Sequence, residues 1–320
     1  MAVSPTPGQL EYTHDNATER SVNKSVVLLE PRFSLDFWME ILTVIIVILG
    51  LVGNSIVVWL LSFRIQRNPF SVYILNLAGA DALFLFFSFL IYMRELLRFF
   101  LPLQIARIGF SLHFMFFVFS LSLVAVISTE RCLSVLFPIW YRYHRPKHTS
   151  ATLCTVIWAL AFLYIALSHI LCWHRSPYDF CGNIIIIFPF VWFIILTCIL
   201  CASSLTLLLR VQCSSQRRQP PRLYLLVLLT VLVFLLCGLP AGICNFIKSR
   251  TDSQFLPHWL GLSLACVNSS ANPIIYFFLG NQRCQRREPL RVILQRALGD
   301  EEVGGGTRGT AHTNTSETAF

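Results

Sequence analysis

Seven apolar runs, each long enough to cross a bilayer, divide this 320-residue chain at about 35–62, 70–97, 108–137, 150–172, 183–209, 223–247 and 256–280. A spanning helix needs about 20 predominantly apolar residues. Lipid offers no partner to an open backbone N–H or C=O, so runs of this length must be helices. Charged residues make up 13% of the chain, against about 25% in soluble domains. The expected fold is an all-α, seven-helix membrane bundle over residues 35–280. A polar segment 1–34 precedes it, an amphipathic interfacial helix 281–298 follows, and a polar, Gly- and Thr-rich tail 299–320 is expected to be disordered. Residues 1–34 lack the apolar core of a signal peptide, so the first run is expected to direct insertion.

The net charge of +9 does not mark a nucleic-acid binder, because the basic residues follow topology. Sixteen of the 25 Lys and Arg fall in the loops and tail that are inner if the N-terminus is outside, among them Arg64, Arg131, Arg142, Arg145, Arg217, Arg218, Arg286 and Arg287. Short basic loops stay cytoplasmic, which places the N-terminus outside. The acceptor sequences Asn16-Ala17-Thr18 and Asn23-Lys24-Ser25 agree, giving Asn16 and Asn23 as glycosylation sites. Most of the eleven cysteines lie inside the runs, where a thiol is a small apolar filler. Cys172 and Cys181 instead flank a short outer loop on the oxidising side, where a bridge can persist.

Ionisable residues inside such runs are costly and so mark candidate sites. Asp81 sits in Asn76-Leu77-Ala78-Gly79-Ala80-Asp81, and the seventh run carries Asn268-Ser269-Ser270-Ala271-Asn272-Pro273. Asp81, Ser120, Asn268, Ser269 and Asn272 form the expected ion or proton site: one carboxylate with amide and hydroxyl oxygens suits a partly hydrated monovalent cation, or a proton. A buried polar knot that fixes helix packing fits the same residues. Glu130-Arg131-Cys132 closes the third run beside a basic loop, Tyr141–His148. Adjacent opposite charges can neutralise each other and be separated by a partner, which makes a switch; interfacial snorkelling is the simpler alternative. Pro240 and Pro273 each remove a backbone donor from the sixth and seventh runs, so kinks are expected there.

Together these residues resemble a rhodopsin-type G-protein-coupled receptor: Asn54, Asp81, Glu130-Arg131-Cys132, Trp158, Pro240 and Asn272-Pro273-Ile274-Ile275-Tyr276 mark the successive helices. Arg67-Asn68-Pro69-Phe70, Ser128–Leu136, Pro138-Ile139-Trp140-Tyr141-Arg142, Phe234-Leu235-Leu236-Cys237-Gly238-Leu239-Pro240, Asn268–Phe278 and Leu294-Gln295-Arg296-Ala297-Leu298 narrow the resemblance to the Mas-related receptors. The resemblance implies a heterotrimeric G protein as partner, with receptor kinases and arrestin. It implies an inner cleft lined by Arg131 and an Ile139 side chain that fills an apolar socket on the G protein. Glu130, Pro240, Asn272, Pro273 and Tyr276 complete the implied switch, and Cys172–Cys181 matches the bridge between the fourth and fifth helices in that family.

Departures from the general receptor pattern matter as well. Gly238 stands where most such receptors carry a tryptophan, so Phe234 or Phe116 is expected to fill the pocket floor. Mas-related members that recognise cationic ligands carry acidic residues at positions that here read Ser168 and Ile185. A desolvated ammonium would lack a counter-charge. Arg94, Arg98 and Arg107 cluster near the first outer loop, and His113 stands in the third run. The expected ligand is therefore an anionic or neutral amphiphile, with snorkelling arginines as the alternative. Leu290, Ile293, Leu294, Ala297 and Leu298 form an apolar stripe expected to lie on membrane lipid. Cys284 is a palmitoylation candidate, and Thr318-Ala319-Phe320 suits a PDZ domain. No grouped metal ligands or nucleophile–base pair stands out, so the expectation is not an enzyme. A receptor-like protein with high basal or no G-protein signalling is the alternative; a transporter is the rival class, and the chain lacks the internal repeat that class shows.

Overall fold

The computed structural model describes residues 30–65, 68–97, 103–146, 148–172, 180–213, 222–250, 257–281 and 289–298. The elements are α1 (Glu30–Phe63), α2 (Pro69–Leu97), α3 (Leu103–Leu136), α4 (Pro138–His144), α5 (Thr149–Cys172) and α6 (Phe180–Cys213). They continue with α7 (Arg222–Val233), a π-helical turn (Phe234–Gly238), α8 (Leu239–Arg250), α9 (His258–Asn281) and α10 (Leu290–Leu298). Seven spans are long and apolar enough to cross a membrane, with α7, the π turn and α8 forming the sixth. The seven-helix bundle expected from the apolar runs is thus the observed fold.

α3 is the most deeply buried span and α5 the least. α1 packs between α2 and α9, α3 meets α2, α5, α6 and α7, and α9 touches α2, α7 and α8. With little hydrophobic drive between helices in lipid, small residues and hydrogen bonds set these contacts. Thr43 and Ser263 share a 2.7 Å hydrogen bond between α1 and α9, and Ser128 and Ser203 one of 2.6 Å between α3 and α6. The Trp158 indole donates to Asn76 Oδ1 at 3.1 Å. Gly50 leaves room for Ser270, whose hydroxyl would meet any Cβ at that position.

α2 begins with a reciprocal cap. Asn68 Oδ1 accepts the Ser71 N–H at 2.6 Å, and Ser71 Oγ accepts the Asn68 N–H at 2.9 Å. Pro69 takes the first helical position, where its missing N–H costs nothing.

The sixth span shows more than the kink expected at Pro240. Pro240 cannot donate to the carbonyl four residues back. The ladder shifts register just before it, with the Leu239 N–H bonding to Phe234 O across the π turn. Pro273 lies inside α9, and Pro189 is a further proline inside α6.

Two segments differ from expectation. Part of the basic stretch read as a loop is helical, because Pro138 starts α4 after Phe137 leaves helical geometry at φ −128°. The apolar stripe of α10 does not lie on lipid: Ile293, Leu294, Ala297 and Leu298 are buried within the protein, and only Leu290 is exposed. α10 packs on α9 and on α7. Asn16, Asn23, Arg98, Cys284 and the last three residues lie outside the described residues, as do the side chains of Arg107, Cys172, Cys181 and Ile185.

Candidate functional site

The polar layer in mid-bundle centres on Asp81, which is fully buried. Ser120 Oγ donates to Asp81 Oδ1 at 2.7 Å, and Asn272 Nδ2 donates to Oδ2 at 2.7 Å. α2, α3 and α9 therefore meet at one carboxylate. Asn54 extends the layer to α1 by donating to the Ser269 carbonyl at 3.1 Å. Asn54 Oδ1 is buried without a hydrogen-bond partner, and the Ser269 hydroxyl faces Asp81. Among the described residues no basic side chain pairs with Asp81. A buried carboxylate without counter-charge is expensive, and buried oxygens with spare lone pairs fit the small hydrated cation implied by the sequence. Asn268 lies slightly apart, with its Oδ1 3.1 Å from where a Cβ on Gly238 would stand.

At the C-terminal end of α3, Glu130 Oε2 accepts three donors. Tyr141 gives its hydroxyl at 2.7 Å, and Arg145 gives Nε at 3.1 Å and Nη2 at 2.9 Å. Arg145 Nη2 also donates to Ser150 Oγ at 2.7 Å. The pairing expected between neighbours Glu130 and Arg131 thus omits the main partner, which arrives from beyond α4. Burial pushes the Tyr141 phenol well above its ordinary pKa, and the bond to Glu130 adds to this. For Arg145, burial is the largest single influence and acts to lower the pKa, but the Glu130 carboxylate, Tyr141 and Tyr73 together outweigh it and the net shift is upward. The Arg131 guanidinium carbon lies 4.0 Å from the centre of the Phe70 ring, a cation–π contact to the first turn of α2. Ile139 projects from α4 with 76% of its surface exposed.

At the opposite end of the bundle, a cavity of about 300 Å³ opens between α3, α5, α6 and α8. Its walls are aromatic and aliphatic, including Phe110, Phe114, Tyr164, Phe190, Phe193 and Phe246. Ser111, Ser168, Asn245, Ser249 and the Tyr164 hydroxyl are polar, and among the described residues none of the lining side chains is charged. Phe193 packs on Gly242, where a Cβ would overlap the ring.

The expected pocket residues spread more widely than this cavity. Ser168 lines it. Arg94 lies over the Phe110 ring at 6.0 Å. His113 is 3.3 Å from Ser88 and packs on Phe84, toward α2. Phe116 stacks on Phe87 and meets Trp158 edge-on. Phe234 lies near Phe193 and fills the space beside Gly238, where a Cβ would come within 2.6 Å of its ring. Residues 53–276 match the family described as 7 transmembrane receptor (rhodopsin family). Mas-related G-protein coupled receptor member X2 of Rhinopithecus bieti is 46% identical over 278 residues, covering 82% of this chain and 83% of that protein. Member X1 of Homo sapiens is 46% identical over 281 residues, covering 84% and 86%. The chain belongs to the Mas-related G-protein-coupled receptors.

This Mas-related receptor is accordingly a multi-pass plasma-membrane protein and not an enzyme. Sequence reasoning missed Arg145, Phe70, Phe193 and Asn245. The spacing of Gly238 and Gly242, four residues apart on one helix face, was the available signal for a close aromatic approach.

Proposed function

We propose that this receptor recognises a neutral, largely apolar ligand in the outer cavity and passes its binding to a G protein through an inner cleft lined by Arg131. The observation that carries the ligand class is that no charged side chain lines the cavity among the described residues. Between the anionic and neutral amphiphiles expected from the sequence, such walls favour the neutral ones, because any ionised group would be desolvated there without a partner. Asn245 supplies an amide and Tyr164 a broad ring for orientation. Pockets of this kind rely on apolar burial with a few polar groups to set pose.

The relay we infer runs from Phe193 on the cavity wall to Phe234 beneath it, and from there along the sixth span. The π turn and Pro240 are the points at which its inner half can swing. Asp81, Ser120, Ser269 and Asn272 would hold a hydrated sodium ion, which supplies the missing positive charge between α2, α3 and α9. Glu130, Pro273 and Tyr276 belong to the same switch, and Ile139 would enter a socket on the α-subunit. The N-terminus outside, a Cys172–Cys181 bridge, and arrestin recruitment by a phosphorylated tail complete the reading.

The test is G-protein activation in cells by wild type and Arg131→Ala at equal surface level. The ligands are a sterol alcohol, its acid and its amine, of matched shape. Activation by the alcohol in wild type alone supports the reading. A preference for the amine or acid overturns the ligand class, and signalling equal in Arg131→Ala overturns the cleft.

A further inference from the structure

We infer that α10 is an internal competitor of the G protein, a helix seated across the inner mouth of the bundle. The inference rests on the G-protein reading above. Its support is positional.

Apolar side chains on the outer surface of the spans stand exposed, as Leu49, Ile170 and Ile274 do. In α10 the opposite holds: Leu294 and Ala297 are 0% exposed and Leu298 2%. Protein alone covers the stripe. The covering elements are α9 and α7, the inner half of the sixth span.

The far end of the helix is tied down on the opposite side. Asn68 Nδ2 donates to the Leu298 carbonyl at 3.1 Å. That carbonyl belongs to the last turn, whose C=O groups have no partner within the helix, so Asn68 closes the C-terminus of α10 while its Oδ1 caps the start of α2. Two residues further on, Phe70 carries the Arg131 guanidinium. Nine residues of helix extend about 13 Å, more than one interhelical spacing of about 8–10 Å. α10 thus reaches from α7 to the turn of α2 that holds Arg131. A G-protein helix that enters between Arg131 and the sixth span must displace it.

Competition gives the receptor a resting brake. Outward movement of α7 would strip one wall from the seat, and the incoming α-subunit helix would take the other. Both α10 and the α-subunit helix would then bury apolar side chains on the same surface, so each weakens the other's hold.

The experiment uses the full-length receptor in membranes, with two readouts. First, a diazirine leucine analogue replaces Leu294, and adducts are mapped after illumination. Adducts on peptides from Arg222–Val233 are expected; adducts confined to lipid overturn the seating, whether or not signalling is present. Second, ligand-free nucleotide exchange on purified heterotrimer is measured for Leu294→Glu and Asn68→Asp at matched receptor level, beside Arg131→Ala. Asn68→Asp keeps the cap on α2 and turns only the Leu298 contact from donor to acceptor. Several-fold faster exchange in both variants, with addition of heterotrimer reducing the Leu294 adducts on α7, is expected. Exchange unchanged or slowed in both variants overturns the brake. Normal α7 adducts with exchange absent from every variant overturn the competition and count equally against the G-protein reading, whereas lipid adducts with Arg131-dependent exchange sink α10 alone.

Discussion

Arg145, fifteen residues from Glu130 in sequence, places two nitrogens on one oxygen of its carboxylate, at 2.9 and 3.1 Å. Tyr141 adds a third donor to that oxygen. The cluster ties the end of α3 to the loop after α4 and, through Ser150, to the start of α5. Both charged side chains are largely shielded from solvent, at 10% and 13% exposure. Removing one partner of such a pair strands the other.

Arg145→Gln should therefore destabilise the purified receptor by about 1.5–3 kcal/mol, the range for a hydrogen bond to a charged group. Tyr141→Phe removes one of the three donors to Glu130 and should cost less. Thermal unfolding followed by dye binding ranks them. A Tyr141→Phe loss larger than that of Arg145→Gln would show that the phenol, not the guanidinium, anchors Glu130.

Gly238 and Phe234 form a lock and its missing key. A Cβ on residue 238 would approach the Phe234 ring to 2.6 Å and Asn268 Oδ1 to 3.1 Å. Gly238→Ala should cost about 1–3 kcal/mol through overpacking. Phe234→Leu alone should also destabilise, but the double variant should recover part of the loss because the smaller side chain makes room. Surface expression and thermal midpoint of the three variants check this; strictly additive losses would remove the steric coupling.

The spans were legible because lipid permits one solution for a long apolar run, and the departures arise where local chemistry competes with length. Asp81 and Asn272 announced themselves as polar residues in apolar runs, and their 2.7 Å contact follows from the need to satisfy a buried carboxylate. Arg145 did not, since its basic stretch reads equally well as a solvated loop until Pro138 turns the chain back into helix. The stripe of α10 was visible, but its occupant was not: lipid and protein are equally apolar, and only the fold reveals that α9, α7 and Asn68 supply the seat. That the described residues of the cavity wall carry no charge was hidden for a similar reason. Arg94, near it in sequence pattern, spends its charge over the Phe110 ring.

Asp81 carries the sodium prediction. Its two oxygens accept from Ser120 and Asn272. Asp81→Asn places an amide donor against one of these donors, at a cost of about 1–3 kcal/mol for the group left unpaired. The more specific outcome concerns salt. Wild-type receptor should gain a few degrees of thermal midpoint in sodium chloride over choline chloride at equal ionic strength, as expected for a cation bound only by the folded state. Asp81→Asn should show no difference between the two salts. An equal sodium response in both proteins would locate the ion elsewhere.

Ser168 lines the cavity and its hydroxyl donates to the Ile165 carbonyl at 2.8 Å, so the wall at this point is already satisfied and neutral. Ser168→Glu would plant a carboxylate in apolar surroundings. Without a partner it should lower surface expression, because burying an unpaired charge is costly. A cationic ligand supplies the partner, and a charged hydrogen bond of about 1.5–3 kcal/mol corresponds to roughly 10- to 150-fold in affinity. We therefore expect Ser168→Glu to invert the preference within a matched ligand series: the amine gains by at least about tenfold in potency, while the neutral alcohol loses. Concentration–response curves for G-protein activation read this directly. If the amine gains nothing while the alcohol retains its potency, ligand does not contact the α5 wall, and the site must lie nearer the Phe193–Gly242 side of the cavity.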